Sequence, residues 1–297
     1  MEEYSTCPIC GANQREQVMQ TTDYFLTREH FTLEKCQSCG VIFTHPRPNK
    51  EALGKYYETK NYLSHNAGNN GITGKIYQFF RRKNIAYKYQ LIAAEIPKGK
   101  ILDIGCGTGE LLHYFKGKGW SCTGIEPNGS AREFAKTHYQ LSIGEEKDLE
   151  KLEEHSFDVI TLWHVLEHVP EVNQRMKTIK RLLKKNGLLV IALPNPASYD
   201  AQHYAQYWAG YDVPRHLFHF TPEAFKNLSK AHALKIIRVA PLKLDAFYVS
   251  YLSEKYKDNN LPLVRATIPG CRSNKKAKKT GNYSSLIYLL KKSDKEA

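Results

Sequence analysis

Short apolar runs alternate with amphipathic stretches along the chain from residue 75 onward. The apolar runs lie at 101–104, 121–125, 157–163 and 188–193, and the amphipathic stretches at 75–96, 109–118, 130–138 and 170–185. Continuous apolar runs are typical of strands buried on both faces of a parallel sheet, whereas apolar residues at helical spacing predict helices. Strands separated by helices predict a doubly wound α/β fold with right-handed connections. A final run at 283–290 predicts an edge strand.

Cysteines stand out in the otherwise polar first 45 residues. Cys7-Pro-Ile-Cys10 and Cys36-Gln-Ser-Cys39 are two CxxC elements, each followed by glycine, and short strands are predicted at 32–35 and 41–43. Two such pairs are typical of a tetrahedral zinc site, and four thiolates close the coordination sphere, so the ion would be structural. The other three cysteines are scattered, which favours a reducing compartment over a disulfide framework. The pattern predicts a zinc ribbon.

Glycines follow the first buried strand at alternating positions, directly before a predicted helix. Asp103 precedes Gly105, Gly107 and Gly109, and Glu126 ends the next strand. Glycine lets the backbone turn sharply and approach a ligand closely, and the start of a helix offers free N–H groups. The spacing differs from the GxGxxG of dinucleotide sites. Because Glu126 is placed to accept hydrogen bonds from both hydroxyls of a ribose, we predict a nucleoside-binding crevice.

This arrangement resembles the class I S-adenosylmethionine-dependent methyltransferases. Residues 103–109 are similar to that family's first motif, 157–169 to its fourth strand and the following turn, and 182–191 to its next helix and strand. The resemblance covers about residues 75–290 and implies a seven-stranded Rossmann-like sheet of order 3-2-1-4-5-7-6 with the last strand antiparallel. It implies S-adenosylmethionine as the methyl donor, with an adenine contact within 145–149. The implied cofactor-binding residues are Asp103, Gly105, Cys106, Gly107, Gly109, Glu126, Pro127, Trp163 and His164.

The resemblance also suggests a division of the chain into three parts. We predict a zinc ribbon at 1–45, a linker and helical lid at 46–96 and the methyltransferase domain at 97–297, with a glycine- and asparagine-rich loop at 61–74. A cysteine-zinc module before the same core resembles a subgroup of small-molecule methyltransferases that includes sugar C-methyltransferases. It also resembles an rRNA guanine methyltransferase group in which a zinc ribbon helps hold RNA.

Histidines are concentrated after the fourth and fifth predicted strands. The Asn/Asp-Pro-Pro-Tyr/Phe sequence that indicates nitrogen methylation is absent after 157–163. Because histidine moves protons near neutral pH, we predict His164, His168 and His216 as candidate catalytic residues, while a hydrogen-bonded structural imidazole is the other interpretation of each. Arginine suits a carboxylate or phosphate. The predicted acceptor-contacting residues are Trp208, Tyr211, Arg215 and His219.

Positive charge bears on the choice of acceptor. The formal net charge is +13, and residues 270–297 hold eight basic and two acidic side chains, a local +6. Such charge suits an anionic partner, but it is also typical of a solvated face. The N-terminal module has few of the interleaved aromatic and basic residues of a nucleic-acid platform. We therefore predict O- or C-methylation of a quinone- or sugar-like small molecule, with rRNA or tRNA as the alternative.

The same composition sets expectations about location and assembly. No apolar run approaches the 18 or so residues that a membrane-spanning helix needs. We expect a cytoplasmic enzyme without a transmembrane segment, present as a monomer or a homodimer.

Overall fold

The computed structural model describes residues 1–57 and 72–293. The strands are β1 (Arg15–Thr22), β2 (His30–Cys36), β3 (Ile42–His45), β4 (Lys100–Ile104), β5 (Ser121–Ile125), β6 (Ser142–Gly144), β7 (Phe157–Trp163), β8 (Leu183–Pro194), β9 (Phe218–His219), β10 (Leu234–Pro241) and β11 (Ser285–Lys292). The helices are α1 (Lys50–Leu53), α2 (Ile72–Ala93), α3 (Glu110–Gly117), α4 (Gly129–Tyr139), α5 (Val172–Leu182), α6 (Tyr199–Tyr204), α7 (Pro222–Ala231), α8 (Asp245–Tyr256) and α9 (Pro262–Thr280). None of the helices within these residues has the length and apolarity to span a bilayer. The loop predicted at 61–74 lies outside the described residues, apart from 72–74, which begin α2.

Seven strands form the main sheet, in the order β10-β11-β8-β7-β4-β5-β6. Neighbouring strands from β6 to β8 are parallel, and β11 runs antiparallel to both β8 and β10. Taken in chain order, this is the predicted arrangement 3-2-1-4-5-7-6 with an antiparallel last strand. The predicted doubly wound, Rossmann-like α/β sheet is therefore confirmed.

The last strand of the chain is not the edge strand that its sequence predicts. β11 lies between β8 and β10, and its residues 285–290 are all buried. A strand that is apolar on both faces gains most when it is covered on both sides, so the interior position suits it. The edge is instead β10, where Lys235, Arg238 and Val239 are exposed. Charged residues of this kind protect an exposed sheet edge from pairing with other chains.

The helix predicted at 170–185 ends earlier than its apolar pattern suggests. α5 stops at Leu182, and β8 begins with the next residue, Leu183, which pairs with Phe157 of β7. Gly187, predicted to follow the helix end, lies inside β8. Pairing with the neighbouring strand outweighs the local helical preference here, as tertiary contacts commonly do.

The main sheet reverses its direction of winding between β4 and β7. From β4 the chain winds outward through β5 and β6, and then returns to the other side of β4 as β7 and β8. In open α/β sheets, ligands bind outside the carboxyl ends of the strands at such a reversal. The ends of β4, β5 and β7, at Ile104, Ile125 and Trp163, therefore mark the expected crevice.

A second sheet joins the N-terminal residues to the second half of the chain. Its order is β1-β2-β3-β9, and the last pair matches Ile42 with His219 and Phe43 with Phe218. β2 and β3 confirm the two predicted strands, whereas β1 and β9 were not predicted. The pairing of β3 with β9 therefore connects residues on the two sides of the domain boundary predicted at residue 45. That boundary stays a prediction. Residues of both parts share one hydrophobic core.

Candidate active site and thiol cluster

The glycine loop after β4 has a backbone that other residues rarely adopt. The φ angles of Gly105, Gly107 and Gly109 are +73°, +54° and +80°. A Cβ on Gly105 would lie 2.4 Å from a methyl carbon of Val165, so no side chain fits there. A Cβ on Gly107 would meet nothing within 4 Å. The loop is therefore packed tightly against the protein at Gly105 and faces open space at Gly107, where a ligand can approach the backbone.

The acid at the end of β5 holds this loop. One carboxylate oxygen of Glu126 accepts from the backbone N–H of Gly107 at 2.8 Å, and the other accepts from that of Asn128 at 2.8 Å. The carboxylate is buried, whereas Pro127 beside it is exposed. A carboxylate has about four acceptor sites, so Glu126 retains capacity for two ligand hydroxyls.

A second acid, Asp103, lies beneath the loop. It is buried and accepts a 2.5 Å hydrogen bond from the hydroxyl of Thr161. Burial raises the pKa of Asp103 to about 7, against the opposing effects of Thr161 and Lys88. Burial likewise raises the pKa of the Cys106 thiol, whose sulfur is 3.9 Å from the Gly107 carbonyl. Cys106 is thus a neutral thiol, and its backbone is the part available to a ligand.

The end of β7 forms the opposite side of the crevice. The Lys88 ammonium lies 4.0 Å from the centre of the Trp163 ring, and the indole N–H of Trp163 is buried without a hydrogen-bond partner in the described part of the chain. His164 has a φ of +55°, and its backbone N–H donates to Ala192 at 3.1 Å. An unsatisfied buried donor at the reversal point of the sheet marks a place where a bound group would complete the site.

His164 connects the crevice to acids deeper in the protein. Its Nε2 lies 3.1 Å from a carboxylate oxygen of Asp245, and its Nδ1 lies 3.5 Å from one of Glu167. Burial alone would lower the pKa of His164, but the contacts with the carboxylates of Asp245 and Glu167 outweigh it and raise the pKa to about 9. His164 is therefore a cation near neutral pH. Neither acid was predicted, because Asp245 is distant in sequence and Glu167 sits within a turn.

The three predicted histidines approach one another around Glu167. Ligand atoms of Glu167, His168 and His216 all lie within 4.8 Å of one another, and the two imidazole rings have centroids 4.5 Å apart. Burial and the neighbouring His216 lower the pKa of His168 to about 4, so that ring is neutral at pH 7. His164 reaches the group only through Glu167. The catalytic roles of all three histidines stay predictions.

The four residues predicted to contact the acceptor are all buried. Trp208 donates its indole N–H to Asp200 at 2.8 Å, and burial raises the pKa of Tyr211 to about 12. His219 lies 3.3 Å from the Thr44 hydroxyl of β3. Trp208, His216 and His219 line one narrow cavity together with Glu167.

Arg215 is engaged by two carboxylates of its own protein. Its guanidinium lies 2.8 Å from Asp23 and 2.7 Å from Asp212, and it also contacts the carbonyl of Tyr56. These acids raise the pKa of Arg215 against the lowering effect of burial. An anionic acceptor would have to displace both carboxylates, so the observed contacts favour a structural role over the predicted one.

The four N-terminal cysteines converge. Ligand atoms of Cys7, Cys10, Cys36 and Cys39 lie within 4.8 Å of one another, with sulfur–sulfur distances of 3.7 Å for Cys7–Cys39 and 3.5 Å for Cys10–Cys36. Contact with Cys39 lowers the pKa of Cys7 to about 5. A tetrahedron with metal–sulfur bonds of about 2.3 Å has edges of about 3.8 Å, which these distances approach.

The fold and this crevice define an α/β enzyme that binds a nucleoside-containing ligand at the carboxyl ends of parallel strands. The chain belongs to the methyltransferase domain family, whose model matches residues 77–239, more than half of the chain. The matched region contains the glycine loop, Glu126 and the His164–Glu167 turn, so the resemblance based on those residues is confirmed at the level of the family.

Relatives and solved structures agree with this assignment. The chain is 38% identical over 112 residues to a ubiquinone biosynthesis O-methyltransferase of Glaesserella parasuis, covering 32% of this chain and 45% of that protein. It is 30% identical over 156 residues to the Rickettsia typhi protein of the same name, covering 50% and 61%. The chain thus spans about half the length of the curated relatives it matches. A proposed sarcosine dimethylglycine methyltransferase from Galdieria sulphuraria, 15% identical, shares the fold with a TM-score of 0.51 over 73% of this chain and 87% of that one.

Proposed function

We propose that this protein transfers a methyl group from S-adenosylmethionine to a hydroxyl oxygen of a small-molecule acceptor. The observation that carries this proposal is the crevice at the sheet reversal, where the open space at Gly107 adjoins the carboxylate of Glu126. A ribose whose hydroxyls bond to Glu126 would lie directly beside that loop. The N-terminal end of α3 and the unpaired indole N–H of Trp163 offer further donors to the same ligand.

The residues of the chain divide the work of such a reaction. When bound, the cofactor supplies an electrophilic methyl carbon on a sulfonium, and the acceptor oxygen displaces the sulfur from it. Glu126 and the glycine loop hold the donor in place, which favours reaction by proximity. The acceptor hydroxyl has to lose its proton, and we propose that the cluster of Glu167, His168 and His216 promotes this loss. Buried Trp208 and Tyr211 exclude water.

Oxygen methylation of a small molecule is favoured over the other acceptors by the relatives. The Glaesserella parasuis and Rickettsia typhi proteins are both named as O-methyltransferases of ubiquinone biosynthesis. Neither name points to RNA. A hydroxylated aromatic ring is therefore the acceptor class that we propose first, with a sugar carbon second because of the cysteine module.

We also propose that the four cysteines hold one structural Zn²⁺. The support is the near-tetrahedral spacing of the sulfurs, 3.5 and 3.7 Å for the two contacting pairs. Four thiolates leave no open position, so the ion would stabilise the module rather than take part in the reaction.

The test is methyl transfer from labelled S-adenosylmethionine to a panel of phenols, catechols and sugars, each paired with the analogue whose hydroxyl is already methylated. We expect label on the free hydroxyl compounds and none on the blocked ones. RNA is included in the panel. Label found in RNA alone, or no binding of S-adenosylmethionine by the folded protein, would refute the proposal.

A further inference from the structure

The carboxylate of Glu167 is buried, and its ion pair with His164 engages one of its two oxygens, Oε1. Its side chain is 1% exposed, and neither oxygen has a hydrogen-bond partner among residues 1–57 and 72–293. The nearest cation is the edge of His164, 3.5 Å away. Buried carboxylates normally form hydrogen bonds, ion pairs or metal bonds, because a buried carboxylate without partners costs roughly several kcal/mol. Oε2 of Glu167 therefore has no partner in the described part of the chain, and Oε1 has only the long ion pair with His164.

Two imidazoles beside this carboxylate are each held at Nδ1 by a backbone carbonyl, and Nε2 of His216 lies 4.0 Å from a carboxylate oxygen of Asp212. Nδ1 of His168 lies 3.0 Å from the carbonyl oxygen of Arg215, and Nδ1 of His216 lies 2.9 Å from that of Gly210. A carbonyl can only accept, so each Nδ1 carries a proton, and Nε2 is the ring nitrogen left to bind a metal. A bond from Nδ1 to a backbone carbonyl is the usual support of a histidine that binds metal through Nε2.

From this arrangement we infer that Glu167, His168 and His216 bind one divalent transition-metal ion. Two imidazoles and one carboxylate are a donor set of catalytic zinc sites and of other first-row metal sites that keep an open position. One carboxylate oxygen and one ring nitrogen of each histidine already lie within 4.8 Å of one another. One ion bound by the carboxylate and by both Nε2 atoms would complete the partners of Glu167. This site is distinct from the thiol cluster in its donors and in its open coordination.

The open position gives the ion a role in the reaction, and this part of the inference rests on the proposed function. An acceptor hydroxyl bound to a divalent cation loses its proton far more readily, as metal-bound water does when its pKa falls from 15.7 to about 7. The proton would leave to solvent, and the oxygen, held by the ion, would bond to the methyl carbon as the bond from that carbon to sulfur breaks. The acceptor class would then be one whose hydroxyl, or pair of adjacent hydroxyls, can coordinate a metal.

The N-terminal module holds the second half of this site in place. The hydroxyl of Thr44 in β3 donates to the carbonyl of His216 at 2.8 Å, and the Thr44 backbone N–H donates to Leu217 at 3.0 Å. Tyr57 contacts Nδ1 of His168 at 3.1 Å. Metal ligands that are fixed by surrounding hydrogen bonds bind more tightly than mobile ones.

The experiment is a Co²⁺ titration of the full-length protein whose thiol site is already filled with Zn²⁺. We expect about one Co²⁺ per chain, with visible d–d bands but without the thiolate-to-cobalt charge-transfer band that a cysteine site gives. Glu167→Gln, nearly identical in shape, should weaken Co²⁺ binding by more than about 100-fold while the Zn²⁺ content stays unchanged. His203→Asn is the matched control, because His203 is exposed in α6, and it should leave the titration unchanged.

Two results would overturn the inference: no Co²⁺ bound beyond the thiol site, or equal Co²⁺ binding by wild type and Glu167→Gln. The affinity for S-adenosylmethionine is measured in the same samples and separates the two proposals. Cofactor binding and methyl transfer without this second ion would refute the metal site and leave the proposed function standing. Co²⁺ binding without any affinity for S-adenosylmethionine would do the reverse.

Discussion

The two sides of the crevice are built in different ways. The cofactor side consists of one continuous loop, 105–109, and one acid, Glu126, at the end of the adjoining strand. The proposed acceptor side brings together Glu167, His168 and His216, and its surrounding segment is supported by the N-terminal sheet. A site encoded in one short segment can be recognised and can form without distant help, whereas one assembled from distant segments depends on the packing of the whole protein.

The difference is clearest in what holds each side. On the cofactor side, Glu126 accepts hydrogen bonds from Gly107 and Asn128, which lie in the loops directly after β4 and β5. On the acceptor side, the ion pair between Arg215 and Asp23 joins residues 192 positions apart. We therefore expect damage to the N-terminal module to disable the acceptor side and to spare cofactor binding.

Loss of the thiol site should have the largest effect. In Cys36→Ser, a buried ligand is lost, and because zinc binding contributes about 10–16 kcal/mol in small zinc modules, the module should unfold. Methyl transfer should fall by more than about 100-fold, while the dissociation constant for S-adenosylmethionine changes by less than about threefold. Activity assays and calorimetry measure the two. Cys271→Ser, an exposed position outside the cluster, is the control. Equal loss of activity and cofactor affinity would contradict the separation of the two sides.

Breaking the buried ion pair should come next. Arg215→Met leaves Asp23, which is fully buried, without its guanidinium, and removing one member of such a pair costs about 3–5 kcal/mol. Urea denaturation should show this loss in the free energy of unfolding. Arg238→Met, on the exposed edge strand, should change it by less than about 0.5 kcal/mol. If Arg215 served mainly to bind an acceptor, its loss would raise KM and leave stability unaltered.

Removing the charge of Glu126, the acid predicted to bind the ribose, should affect only the cofactor side. Glu126→Gln loses charged hydrogen bonds worth about 1.5–3 kcal/mol, so the dissociation constant for S-adenosylmethionine should rise about 10- to 100-fold. Isothermal calorimetry measures it. Glu133→Gln on the exposed face of α4 is the control. An unchanged affinity would remove Glu126 from the site.

The smallest effect concerns pH. Asp103 titrates at about 7 in the free protein, and a cofactor with net positive charge favours its ionised form. Affinity for S-adenosylmethionine should therefore be full above pH 7 and fall below it, by at most about tenfold per pH unit. Asp103→Asn should flatten this profile, and Thr161→Val, which removes the hydrogen bond that lowers the pKa, should move the fall to higher pH. A profile that is the same in Asp103→Asn would exclude Asp103 as its origin.

The sequence predicted the cofactor side of the crevice better than the acceptor side, because the first is built from local segments and the second from distant ones. Buried strands and the glycine loop are local patterns; they predicted the parallel strands and carried the family resemblance, which in turn implied the order of the main sheet. The pairing of β3 with β9 and the contact of Asp245 with His164 are long-range, and no local spacing indicates them. The apolar run of β11 alone predicted an edge position, because such a run does not tell how many neighbours a strand has; only the strand order implied by the resemblance placed it in the interior.

The candidate site shows the same limit in individual residues. His164, His168 and His216 could be chosen as candidates from the sequence because of their chemistry. Glu167 becomes a candidate only because the fold buries its carboxylate. The sequence predicted that Arg215 contacts an acceptor, whereas in the structure its guanidinium pairs with Asp23 and Asp212. Burial and pairing are properties of the fold, so charge in the sequence could not reveal them.

A calorimetric titration of the wild-type protein with S-adenosylmethionine tests the central claim most directly, because every proposed role of the crevice requires that ligand. We predict binding of about one molecule per chain, with a raised melting temperature in excess ligand. Absence of both heat and stabilisation, in protein whose thiol site is filled and whose fold is intact, would contradict the claim.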